Sequence, residues 1–116
     1  MLFMMIVKAS KNSESKNLPN KALMKKMDDY NDALIEAGVR VMAKGLHPTS
    51  SAVRLIYSNQ AEKPIVEYGP FTPVNEQVAG FFIIECTSME KALEWALKAP
   101  DPQGNGEGQI ELRQIY

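Results

Sequence analysis

Gly80-Phe81-Phe82-Ile83-Ile84 is an unbroken apolar run inside the longer stretch Val78 to Cys86. A short apolar run bounded by polar or turn residues reads as a strand buried on both faces. The chain holds one other run of this kind, Leu2-Phe3-Met4-Met5-Ile6-Val7, which ends at Lys8 and the Ser/Asn/Lys-rich stretch Ser10 to Asn17. Two such runs predict two central strands of one sheet. The polar stretch is expected to be a solvated loop.

Between them, Leu18 to Ala37 reads as a helix, with Pro19 suited to its first turn and Gly38 to its stop. Leu23, Met27, Tyr30 and Leu34 recur at helical spacing and form one apolar stripe. Val39 to Ala43 then reads as a strand. Ala52 to Tyr57 and Pro64 to Glu67 read as the arms of a hairpin across the polar turn Ser58 to Lys63. Tyr68-Gly69-Pro70-Phe71-Thr72-Pro73 is proline-punctuated, so neither helix nor central strand is expected there.

After Cys86, Thr87-Ser88-Met89-Glu90 has the spacing of a capping box with Thr87 as N-cap. A helix from Ser88 to about Ala99 is predicted, with Met89, Ala92, Leu93 and Ala96 on its buried side. Asp101 to Gly108 is a Gly-rich loop. Gln109 to Ile115 alternates, Ile110 and Leu112 on one face and Glu111 and Arg113 on the other, as an edge strand does. The order is that of a ferredoxin-like βαββαβ domain, class α+β, with an antiparallel sheet.

Two helices cover one face of such a sheet. The other face would expose alternate residues of both apolar runs, and an apolar patch of that size marks an interface. The expectation is a homodimer packed sheet to sheet, a dimeric α/β barrel.

The chain has 116 residues, enough for a single domain over residues 1–116. Its net charge of -1 argues against nucleic acid as a partner. A lone cysteine, Cys86, excludes an internal disulfide, the first residues lack signal-peptide flanks, and no stretch reaches membrane-span length. A cytoplasmic protein with no membrane partner is expected. No cofactor and no metal site is indicated: there is one histidine, and no HxxxH or CxxC spacing occurs.

The residues carry a resemblance. Glu36-Ala37-Gly38-Val39, Gly45-Leu46-His47-Pro48, Tyr68-Gly69-Pro70-Phe71, Asn75-Glu76-Gln77, Gly80 to Glu85, Ala92-Leu93-Glu94-Trp95-Ala96 and Ile110-Glu111-Leu112-Arg113 stand in the order and spacing of the YCII-related, or DGPF-motif, family. The resemblance covers essentially the whole chain and implies a dimeric α/β barrel. It also implies either a small enzyme or a protein linked to transcription through extracytoplasmic sigma factors. Tyr68 stands where the family motif has Asp. The first long helix has no histidine, although the YCII branch is associated with a catalytic His–Asp pair.

On the residues themselves, His47 is the one side chain of the type best suited to proton transfer and could act as a general base, with Glu67 or Glu76 to orient it. The favoured reading is an exposed turn histidine before Pro48. His47 and Glu76 are the candidate catalytic pair. Tyr30, Tyr68, Phe71 and Arg113 are the candidate ligand-binding residues, with Tyr30, His47, Tyr68 and Glu76 expected to line a cleft between sheet and helices. Phe71 also reads as a packing corner, and Arg113 as a partner for Glu111. Gly104-Asn105-Gly106-Glu107-Gly108 precedes a strand, not a helix, so it reads as a surface loop and not a phosphate loop. The leading reading is a homodimer that binds a small organic ligand. The alternatives are an enzyme (hydrolase, lyase or oxygenase-like) using His47, or a regulatory interaction module.

Overall fold

A computed structural model describes residues 1–15 and 20–116. Among the described residues nine elements follow one another: β1 (Leu2–Lys8), α1 (Lys11–Glu14), α2 (Lys21–Glu36), β2 (Arg40–Gly45), β3 (Val53–Ile56), β4 (Ile65–Tyr68), β5 (Val78–Glu85), α3 (Met89–Leu97) and β6 (Ile110–Gln114). Short 3-10 turns occupy Thr49–Ser51 and Val74–Glu76. The main sheet is antiparallel in the order β2-β5-β1-β6, the ferredoxin-like order, with the two apolar runs at its centre and β6 at an edge.

The strand count exceeds the βαββαβ pattern. β3 and β4 pair only with each other, Val53 opposite Tyr68 and Ile56 opposite Ile65, as a separate two-stranded sheet inserted between β2 and β5.

The stretch expected to be a plain loop contains one helical turn, α1, because Ser10 caps it. The Ser10 hydroxyl accepts from Ser13 N, and the Ser13 hydroxyl accepts from Ser10 N. The helix expected from Leu18 runs from Lys21 among the described residues, with Asn20 as cap accepting from Leu23 N at 2.8 Å; Leu18 and Pro19 lie outside the described residues. It stops as expected at Gly38, whose φ of 72° is the left-handed conformation that favours glycine. Val39 N then reaches back to Leu34 O, and both side chains are buried.

α3 differs from expectation in its cap and its phase. Ser88, not Thr87, has the extended backbone of an N-cap and accepts from Lys91 N, so Glu90 has no reciprocal role. Met89 and Leu93 are exposed, while Ala92 is fully buried and Trp95, Ala96 and Ala99 pack against the core. The reason is steric: alanines let the helix lie close to the sheet, and the Ala92-Trp95-Ala96-Ala99 stripe has the same helical spacing as the expected one.

Phe3, Met5, Leu34 and Ile84 are completely buried, each contributing about 1.5–3 kcal/mol by removal from water. They lie on the helix-covered face. The opposite face carries Leu2, Met4, Ile6, Phe81 and Ile83, all partly exposed. Its rim is charged: Lys44 pairs with Phe81, Glu111 with Ile6 and Arg113 with Met4.

Candidate functional site

α2 carries a second stripe beside the one that enters the core. Met24, Asp28, Asn31 and Ile35 follow helical spacing on the flank of Leu23 and Met27. That flank overhangs the β2 side of the sheet, where Ala43, Gly45, Ala79 and Gly80 are the residues available. Gly45 and Gly80 are paired in register, so a patch of floor has no side chains at all. A Cβ on Gly80 would sit 2.8 Å from Lys44 O, so this position is held small by the neighbouring strand. A Cβ on Gly45 would meet nothing within 4 Å. The result is an open cleft of about 1170 Å³ between α2 and the sheet.

The cleft is apolar along α2 through Leu23, Met24, Met27 and Ile35, and Val7 and Phe82 also reach it. Its polar groups come from two walls. Arg40 is on β2; Asp28, Asn31 and Asp32 are on α2; the Lys44 side chain stands with Phe81 on the uncovered face. Asn12, Ser13, Asn20 and Gln103 stand at the end nearest α1. Asn31 uses its amide nitrogen to donate to Met27 O at 3.1 Å, which turns its Oδ1 the other way. That Oδ1 and Arg40 Nε are both buried and without a hydrogen-bond partner among the described residues. Buried polar atoms are ordinarily paired, because an unpaired one keeps its full desolvation cost. Both belong to residues of the cleft wall but are themselves shut off from it.

None of the six residues singled out from sequence lines this cleft among the described residues. Tyr30 faces the other side of α2, on a hollow of about 340 Å³ shared with Trp95 and Lys98. Its hydroxyl donates to Trp95 O at 2.8 Å, its ring meets Phe82 edge-on at 5.6 Å, and burial followed by nearby Cys86 pushes its pKa up to about 12. His47 is exposed, and its imidazole makes no hydrogen bond or ion pair among the described residues. Glu76 is exposed; its main-chain carbonyl accepts from Lys8 Nζ at 3.5 Å. Arg113 is exposed and lies 4.0 Å from Glu111. No hydrogen bond or ion pair joins any two of these residues among those described.

Tyr68 and Phe71 belong to the corner that anchors the β3–β4 hairpin. Tyr68 is exposed and Phe71 buried. Gly69 passes so close to Thr49 O that any side chain would collide with it. Thr49 donates N–H and O–H to Glu14 Oε2, at 3.0 and 2.7 Å, and its hydroxyl accepts from Phe71 N at 3.0 Å. Arg54 lies over the Phe71 ring at 3.9 Å while donating to Glu67 and Gln77.

Burial raises the Cys86 thiol, the Met1 ammonium opposing and Glu85 adding to the effect, so this cysteine is a poor nucleophile near neutral pH. Among the described residues no three His, Cys, Asp or Glu side chains are grouped to hold a metal ion. No described helix is long and apolar enough to cross a membrane.

Sequence reasoning missed Arg40 and Asn31. The signal available was an asparagine within the flank of an amphipathic helix and an arginine at the start of a strand.

The chain is 40% identical over 62 residues to a protein of Rhizobium meliloti (strain 1021) described as uncharacterized. The match takes in 53% of this chain and 48% of that protein, so the chain spans about half the length of the curated relative it matches. The family model of the YCII-related domain matches residues 1–116. With its whole length matched, the chain belongs to the YCII-related domain family.

Proposed function

We propose that this YCII-related protein works as a homodimer and binds a small organic ligand in the cleft between α2 and the sheet. The observation that carries the reading is the open cleft of about 1170 Å³ over the paired glycines Gly45 and Gly80, walled by Met24, Met27 and Ile35 with Asn31 and Arg40 beside them. Ligand sites are concave and largely apolar with a few placed polar groups, and this cleft has that composition. Support for the dimer comes from the uncovered sheet face, where Met4, Ile6, Phe81 and Ile83 form an apolar centre within a charged rim.

Native mass spectrometry, taken from gentle to denaturing conditions, tests both parts. A dimer mass that releases a small molecule is the expected result. A dimer with no adduct under the gentlest conditions counts against the ligand, and a stable monomer counts against sheet-to-sheet packing. Phe81→Asp, which places a charge in the apolar centre, is expected to give a monomer by light scattering with the far-UV spectrum retained.

A further inference from the structure

Among the described residues the four-stranded sheet has two open edges, and they are built differently. The β2 edge is broken by a shift of register between Arg40 and Met42, a bulge of the kind that blunts an edge. β6 runs from Ile110 to Gln114 without a shift or a proline and pairs on one side only. Ile115 N donates to Leu2 O at 2.8 Å, and Lys8 N donates to Gln109 O at 3.0 Å. Hydrogen-bonded pairs alternate along an antiparallel ladder, so Glu111 and Arg113 also turn their main-chain groups to β1. Those of Ile110, Leu112 and Gln114 point out of the edge. An apolar stripe stands above it. Met89, Leu93 and Leu97 recur at every fourth residue of α3, and all three are exposed. Trp95 faces α2, and Leu93 lies about 160° from it around the helix, on the β6 side.

We infer that β6 pairs antiparallel with β6 of a second copy about a two-fold axis at Leu112, joining two four-stranded sheets into one of eight strands. The register follows from charge. An axis at Glu111 or at Arg113 opposes like charges, and an axis nearer either end shortens the ladder. An axis at Leu112 sets Glu111 of each copy against Arg113 of the other. Leu112 then bonds to Leu112 and Ile110 to Gln114, which satisfies the outward main-chain groups of all three. The charged pair falls between these bonded pairs, where facing side chains are closest. α3 packs over β1 and β6, so the axis brings the two α3 helices to about 10 Å, the spacing of packed helices. Met89, Leu93 and Leu97 then cover one another. This contact is separate from the sheet face proposed to hold the homodimer. One five-residue strand and one helix stripe make a small interface, so it forms only as protein concentration rises.

The test is sedimentation equilibrium of the full chain over a series from low micromolar to submillimolar protein. The mass at the dilute end reports the sheet-face dimer, and its doubling along the series reports the edge contact, so the two readings fail separately. Wild type is expected to double. Glu111→Arg, which opposes arginines across the axis, is expected to move the doubling to at least about tenfold higher concentration. Exchanging the pair, Glu111→Arg with Arg113→Glu, is expected to restore it. Both side chains are exposed, so these variants keep the fold. A mixture of Glu111→Cys and Arg113→Cys chains is expected to form a disulfide-linked pair faster than either chain alone. A mass that does not double overturns the inference. So does a doubling that Glu111→Arg leaves unchanged or that the exchange does not restore, or cross-linking that is as fast without mixing.

Discussion

The phenolic hydroxyl of Tyr30 donates to the main-chain carbonyl of Trp95 at 2.8 Å, and this bond ties α2 to α3. The two helices cover the same face of the sheet from different sides, and the Tyr30 ring stands edge-on to Phe82 between them. Tyr30→Phe keeps the ring packing and removes the bond. A loss of about 0.5–1.5 kcal/mol in chemical denaturation is expected, with an unchanged slope.

The same residue sets an alkaline limit. Its pKa is raised by burial to about 12, so folding favours the neutral phenol. The stabilisation is fully present below the unfolded value of about 10 and is lost as pH rises through the folded value. Wild type should lose stability between those values, and Tyr30→Phe should lose less over the same range. Denaturation midpoints measured along that range check the difference.

Asp101 sets a limit at the acid end. Its carboxylate accepts first from the Gln103 amide and also from the amides of Gly106, Gly104 and Gly108, which hold its pKa below the ordinary value, burial opposing. Stability from this group is present above the unfolded value of about 3.9 and is lost as pH falls through the folded one. Asp101→Asn is expected to flatten that acid-side loss. It should also speed amide hydrogen exchange in the Gly104–Gly108 loop at neutral pH.

The corner under the hairpin has no room to spare. Gly69→Ala would drive a methyl group into Thr49 O, and the bonds from Thr49 to Glu14 and Phe71 would have to yield. A destabilisation of about 4 kcal/mol or more is expected, the scale of an overpacked site that also breaks a buried network. Proteolysis confined to residues 49–71 before global unfolding is the accompanying signature.

His47 provides the contrast. It is exposed and unbonded among the described residues, so His47→Ala should change stability by no more than about 0.5 kcal/mol. With the cleft elsewhere, it should also leave any small molecule released from the dimer in native mass spectrometry unchanged. A catalytic role would show instead as lost turnover in a folded, ligand-competent variant.

The central strands, the long helix with its Gly38 stop, and the alternating edge strand were legible from the sequence. Each depends on a local period, two for a strand and 3.6 for a helix, which one stretch of chain carries alone. The buried side of α3 was legible at Ala92 and Ala96 but not at Met89 and Leu93, which satisfy the same period and are exposed. Only the close approach of the helix to the sheet selects the alanines. The cleft was beyond reach for a related reason. Its floor exists because Gly45 of β2 is paired with Gly80 of β5, and its polar character because Asn31 and Arg40, in different elements, come to border the same space. Periodicity assigns a residue to a face of its own element. Which faces meet, and which polar atoms are left unpaired where they do, is decided by packing between segments distant in sequence.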